Sequence, residues 1–131
     1  MSFGNPTFEL CERELDPATT VIAVHGELHL STAPEFSRRL NAAIADGKTA
    51  VVLDLSGVSF IDSTGLSVLL NALRRVTRRH GRMALVITNP TVLRLFEITR
   101  LDSTFDIRET LEDAVTHVQA GRDGRAATAE S

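Results

Sequence analysis

Residues 50–55 constrain the fold of this chain more than any other segment does. Their sequence, AVVLDL, is an almost continuous apolar run, which is typical of a strand that is buried on both faces of a sheet. Such a strand needs layers that cover it, and apolar residues at helical spacing occur on both sides of the run. The chain is therefore predicted to form a layered α/β fold.

Further strands are predicted around this one. Residues 8–14 and 20–25 flank an Asp-Pro turn, so we expect them to form a hairpin. Residues 83–87 are another short apolar run, and residues 105–107 could add a short last strand. The expected sheet is mixed, with parallel strands in the middle and the hairpin at one side.

Helices are predicted between and after the strands. The first is capped by Ser31 or Thr32, the third opens at Asn89, and the last covers residues 110–118. The second helix is the longest, and Gly81 is expected to cap its C-terminal end. Its predicted core-facing stripe consists of Leu66, Leu69, Leu70, Leu73 and Val76.

The composition fits one domain with one sizeable core. The chain has 131 residues, of which 43% are hydrophobic and 24% are charged. We expect a single domain over residues 1–120 and a flexible C-terminal tail over residues 121–131. The formal net charge of −3 gives no basic field for nucleic acid.

The single cysteine and the lack of long apolar runs indicate where in the cell the protein is expected. Cys11 cannot form an internal disulfide and is expected to be a buried small apolar residue. The sequence shows neither a signal peptide nor a run of apolar residues long enough to span a bilayer. These features predict a cytoplasmic protein with no membrane insertion.

The segment Asp62-Ser63-Thr64-Gly65 joins a buried strand to the start of the long helix. Unpaired amides and the helix dipole favour a phosphate at such a position. On local sequence alone, however, a plain helix cap is the favoured interpretation, because caps of this type are common.

Three sequence blocks extend the evidence beyond that segment. They are residues 25–28 (HGEL) followed by Ala33-Pro34, residues 53–55 and 58–66 (LDL and VSFIDSTGL), and Asn89-Pro90 with residues 93–101 (LRLFEITRL). On these blocks, residues 21–118 resemble a STAS domain, and specifically an anti-sigma factor antagonist. The resemblance implies the STAS fold, a small mixed β-sheet with helices packed mainly on one face.

The resemblance also implies partner switching in the control of transcription, as in stress responses. The unphosphorylated protein binds an anti-sigma factor, usually a serine kinase, and a sigma factor is released. The kinase then phosphorylates the serine after the aspartate, here Ser63, and a PP2C-type phosphatase reverses this. ATP belongs to the kinase, so neither a cofactor nor an enzymatic activity is expected in this chain. The implied partner-binding residues are Asp62, Ser63, Thr64, Gly65, Leu66, Ser67, Glu27 and His29.

Two positions depart from the family pattern. His29 stands where an aspartate is usual, and Ser67 replaces a frequent glycine in the first turn of the long helix. Both leave open which kinase recognises the site, and whether this chain is a diverged member that binds a partner but is not phosphorylated by it.

The sequence also bears on two other classes of function, an accessory subunit and an enzyme. A stand-alone STAS accessory subunit, docked on the ATPase of a lipid-type ABC transport complex, stays an alternative. An enzyme is disfavoured, because no acid–base pair, metal-ligand spacing or cofactor loop is visible. A basic cluster at the end of the long helix is interpreted as a solvated face rather than a site for an acidic partner. It consists of Arg74, Arg75, Arg78, Arg79, His80 and Arg82.

Overall fold

A computed structural model describes the backbone of residues 8–130 and the side chains of residues 8–120. Within that part of the chain, two strands come first, and helices then alternate with strands. The strands are β1 (Glu9–Asp16), β2 (Thr19–Leu28), β3 (Ala50–Ile61), β4 (Arg82–Val86) and β5 (Asp106–Arg108). The helices are α1 (Ala33–Ala45), α2 (Ser63–Arg78), α3 (Pro90–Ile98) and α4 (Leu111–Glu130). Each predicted element is present.

The sheet is mixed, as predicted. Its strands lie in the order β1-β2-β3-β4-β5, with β1 antiparallel to β2 and the other neighbours parallel. Each parallel connection moves one strand further in the same direction, and α1, α2 and α3 contribute buried side chains to a single apolar cluster. The three helices therefore lie on one face of the sheet, as right-handed connections require. Helix α4 follows the last strand and packs on the opposite face against β3 and β4. The prediction of a sheet with helices mainly on one face is confirmed.

Strand β3 contributes to the apolar clusters on both faces of the sheet. Val51 and Leu53 pack beneath the first three helices, and Ala50 and Val52 pack beneath α4. All four side chains are fully buried. This confirms that residues 50–55 form a strand covered on both faces.

The core-facing stripe of α2 differs from the prediction. Its fully buried residues are Gly65, Leu69, Ala72 and Val76. Three predicted members are only partly buried, namely Leu66, Leu70 and Leu73. Small residues face the sheet because they let the helix approach it closely, and a pattern that counts only large apolar residues misses them.

Strands β2 and β3 run further than predicted, and this extension positions the site. Their last residues, Leu28 and Ile61, pair with each other. Two register shifts interrupt the ladder, and Gly26 at the second shift has a φ of 112°, a conformation that favours glycine. Such bulges break the alternation on which strand prediction relies. The loops that follow the two strands therefore lie side by side.

The exposure of Cys11 and the length of the last helix differ from the prediction. Cys11 is exposed rather than buried, because it lies on the edge strand β1, whose residues are mostly exposed. The backbone of α4 continues past residue 118, where the predicted helix ends, to Glu130. Whether residues 121–131 form a flexible tail stays a prediction, and residues 1–7 and 131 lie outside the described backbone.

The C-terminal end of α2 is not capped as predicted. The residue in the left-handed conformation is His80, with a φ of 61°, and not Gly81. The amide of His80 donates to the carbonyl of Thr77 at 2.9 Å, and the amide of Gly81 donates to that of Val76 at 2.9 Å, a Schellman pattern. Gly81 is needed for another reason, because a Cβ there would press on the Thr49 carbonyl oxygen.

We expect His80→Gly and Gly81→Ala to change the free energy of unfolding in opposite directions. Relief of the left-handed backbone should stabilise His80→Gly by about 1 kcal/mol. Crowding against Thr49 should destabilise Gly81→Ala by about 1–3 kcal/mol. Urea denaturation followed by circular dichroism measures both, and a Gly81→Ala variant as stable as the wild type would contradict this account of the helix end.

Candidate functional site

The loop between β2 and α1 is held in place by a buried hydroxyl. Thr32 Oγ1 donates to the carbonyl oxygen of Glu27 at 2.7 Å and accepts from the amide of His29 at 3.0 Å. Its side chain makes no capping bond to α1, so its predicted role as a helix cap is replaced by a role in the loop. The bonds fix the chain direction just after the end of β2.

Asp62 ties this loop to the start of α2. One carboxylate oxygen accepts from the Gly65 amide at 3.0 Å, which caps the helix. The other oxygen accepts from the Leu30 amide at 3.1 Å, and the Asp62 amide donates to the Leu28 carbonyl at 3.0 Å. A single residue therefore joins β3, the β2–α1 loop and α2.

The hydrogen bonds to Asp62 favour its charged form. The amide of Gly65 has the largest effect and lowers the pKa of the Asp62 carboxyl below its ordinary value. Partial burial acts in the opposite direction, while the amides of Leu30 and Thr64 lower the pKa further. The carboxylate is therefore ionised at neutral pH, directly before Ser63.

Ser63 is the first residue of α2 and is exposed. Within the described residues its hydroxyl has no hydrogen-bond partner, while its carbonyl accepts from Ser67 Oγ at 3.0 Å. Thr64 is half-buried. Gly65 is buried, and a Cβ there would lie 2.8 Å from the Leu28 carbonyl oxygen, so the glycine lets the helix start close to the end of β2. Of the two hydroxyl groups, that of Ser63 is the more accessible.

Glu27 and His29 lie beside this helix start. His29 Nε2 is 3.3 Å from Glu27 Oε1, and His29 Nδ1 accepts from the Ser31 amide at 3.2 Å. The His29 side chain is 23% exposed, so it is a partly buried, hydrogen-bonded residue rather than an open loop histidine. A positive charge on His29 would add a small lowering of the pKa of the Asp62 carboxyl. The predicted partner-binding residues lie together at one end of the sheet, and their role in binding stays a prediction.

Sequence reasoning missed two exposed apolar side chains near this helix start. Leu30 is 72% exposed and Phe60 is 49% exposed. Leu30 donates its amide to Asp62, so its backbone is fixed while its side chain faces solvent. For Leu30 the available signal was a large apolar residue between the polar residues His29 and Ser31, which by itself does not distinguish an exposed residue from a buried one.

The basic cluster has a partly structural role. Arg75 Nη1 donates to Asn41 Oδ1 at 2.6 Å, and Arg79 Nη1 donates to the Ile44 carbonyl at 2.5 Å. These bonds tie the second half of α2 to α1. The prediction of a purely solvated face therefore needs this correction for Arg75 and Arg79.

Among the residues that the structure describes, no group of three or more His, Cys, Asp or Glu side chains could hold a metal ion. None of the helices in that part of the chain combines the length and the apolar character that a bilayer span requires.

We expect Asp62→Ala to destabilise the protein by about 1–2 kcal/mol at pH 7, because it removes both carboxylate bonds. Asp62→Asn should cost less, since an amide oxygen can still cap the helix. The contribution of the charged form is present above the unfolded-state pKa of about 3.9 and is lost as the pH falls through the lower folded-state pKa. Unfolding measured from pH 7 to pH 2 should show the difference between wild type and Asp62→Ala shrinking, and a constant difference would contradict the charge argument.

Comparisons with known proteins agree with this geometry. A family model described as "STAS domain" matches residues 12–114. The anti-sigma-F factor antagonist RsfB of Mycobacterium tuberculosis is 33% identical over 102 residues, which are 78% of this chain and 83% of that protein.

Solved structures lead to the same family. A crystal structure of an anti-sigma factor antagonist from Mycobacterium paratuberculosis is 32% identical, with a TM-score of 0.79 over 89% of this chain and 99% of that one. The phosphorylated form of the Bacillus cell fate determinant SpoIIAA is 26% identical, with a TM-score of 0.65 over 85% of this chain and 98% of that one. This chain belongs to the STAS domain family, and the relatives that it resembles within that family are anti-sigma factor antagonists.

Proposed function

We propose that this protein is a partner-switching anti-sigma factor antagonist. In its unphosphorylated form it binds an anti-sigma factor that is a serine kinase, and a sigma factor is released. Phosphorylation of Ser63 by that kinase ends the binding, and a PP2C-type phosphatase restores it. Because these partners act on transcription, the expected location is the cytoplasm.

One observation carries the proposal. The exposed hydroxyl of Ser63 stands at the first residue of α2, directly after the ionised Asp62. A kinase can reach a hydroxyl there without unfolding the helix. The names of the relatives support the kind of partner, and the phosphorylated form of SpoIIAA supports the kind of modification.

The expected switch acts on binding rather than on the fold. A phosphate on Ser63 adds about −1.5 to −2 charges at neutral pH. The positive end of α2 favours that charge, so the helix start should stay folded. The charge also lies beside the carboxylate of Asp62 and near the exposed apolar side chain of Leu30. A partner surface that covers Leu30 and Ser63 would have to bury both negative groups, which is costly.

The modification site is tested with the purified serine-kinase anti-sigma factors of the host and ATP, followed by mass spectrometry of peptides. We expect one phosphate on Ser63, none on Ser63→Ala, and wild-type incorporation on Thr64→Ala. Phosphate on Thr64, or none with any of these kinases, would overturn the site assignment.

The effect on binding is tested by isothermal titration with the same anti-sigma factor. Ser63→Glu should raise the Kd by about tenfold or more, since an interface charge next to Asp62 is left unpaired. Ser103→Glu is the matched control, because it adds the same charge at an exposed serine elsewhere in the chain. Equal weakening by both variants would indicate an unspecific effect of net charge.

The accessory-subunit alternative is separated by a pull-down from the native host. The proposal expects recovery of an anti-sigma factor with wild type and its loss with Ser63→Glu. Recovery of a transporter ATPase with both forms would favour the alternative.

A further inference from the structure

Strand β3 continues well beyond its neighbour β4. Their pairing ends at Asp54 and Val86, whereas β3 runs on to Ile61 with β2 along its other edge. Helix α3 lies beside the edge that β4 leaves open, and Asn89 Nδ2 donates to the Val58 carbonyl at 3.5 Å. A groove therefore forms between the end of β3 and α3.

The groove is apolar and open to solvent. It has a volume of about 280 Å³, and its lining includes Phe60 from β3 together with Leu95 and Ile98 from α3. The Phe60 side chain is 49% exposed and that of Ile98 is 68% exposed. Large apolar side chains that meet in one open groove are a feature of interaction sites rather than of ordinary protein surface.

The groove lies close to Ser63. Phe60 precedes Ser63 by three residues, so at most about 11 Å separates their Cα atoms. Both belong to the segment that leads from β3 into α2. A protein that covers the start of α2 can therefore also reach the groove.

The charge at the groove indicates what kind of segment fits. Arg94 is the charged residue among those that line it. Its guanidinium is exposed and forms no ion pair with any side chain of residues 8–120. A matching segment would place an apolar side chain in the groove and a carboxylate beside Arg94.

We propose that this groove is a second docking point for the anti-sigma factor that binds at Ser63. The anti-sigma factor contributes a large apolar side chain to the groove, and an aspartate or glutamate next to that side chain pairs with Arg94. The inference rests on the proposed function and adds to it a contact that is separate from the phosphorylation site. The groove would contribute to the affinity for the partner, while phosphorylation of Ser63 would weaken the binding.

The test uses titration of the host's serine-kinase anti-sigma factor with the full-length protein. Phe60→Thr and Ile98→Gln should each raise the Kd by about tenfold, as truncation of an anchoring residue does. Arg94→Glu should also raise it, and Arg94→Gln should reduce the dependence of the Kd on salt concentration. In addition, nuclear magnetic resonance should show amide shifts in residues 91–98 when the partner is added.

The controls are chosen for matched chemistry away from the groove. Leu15→Ser removes an exposed apolar side chain, 38% exposed, at the other end of the sheet. Arg78→Glu reverses an exposed charge in the last turn of α2. Both should bind with a Kd within about twofold of wild type, as is usual for changes outside an interface. Melting curves of all variants identify any that fails to fold, and the amide shifts test the groove on unmodified protein.

The outcomes separate this inference from the proposed function. If wild type binds and Ser63→Glu weakens binding, but the groove variants behave like the controls and residues 91–98 do not shift, the groove inference alone is wrong. If wild type binds none of the anti-sigma factors, both fail. If the groove variants change self-association measured by sedimentation and leave the Kd unchanged, the occupant is a second copy of this chain, which also overturns the inference.

Discussion

The carboxylate of Asp62 is the contact on which the arrangement of the site depends. It accepts hydrogen bonds from the amides of Gly65 and Leu30, so one side chain fixes both the first turn of α2 and the loop after β2. Among the described residues, no other side chain forms hydrogen bonds to both the loop after β2 and the first turn of α2. Because the amides favour the ionised form, the same contact sets the charge next to Ser63. The position of the first turn of α2 and the negative charge next to Ser63 therefore both depend on the Asp62 carboxylate.

The rest of the fold supports that contact by bringing the two segments together. Strand β3 is buried on both faces and is paired with β2 up to Leu28 and Ile61. Gly65 lets the helix start close to the Leu28 carbonyl, where a Cβ would have no room. The scaffold is consequently closely packed at the point of the proposed modification. A packed scaffold with an exposed serine suits a switch that changes affinity, because a new charge alters the surface without requiring the core to rearrange.

Two groups of exposed apolar side chains lie close to the proposed modification site. Leu30 lies beside the helix start, and Phe60 and Ile98 line the groove beside α3. Such exposed side chains cost solubility unless a partner covers them. In the proposed function, affinity would come from these apolar surfaces, and control would come from the charge at Ser63.

The sequence by itself determined the order of the elements, the mixed sheet and the helix start at Asp62, because these depend on local periodicity and on capping chemistry. It predicted the core-facing side of α2 through Leu69 and Val76, but it missed Gly65 and Ala72, which are buried for steric reasons that a count of large apolar residues ignores. Nor did it predict that His80 rather than Gly81 adopts the left-handed conformation. Only the tertiary structure decided that the β2–α1 loop meets Asp62 and that β3 outruns β4 to leave a groove, because both follow from strand register, which depends on partners distant in sequence.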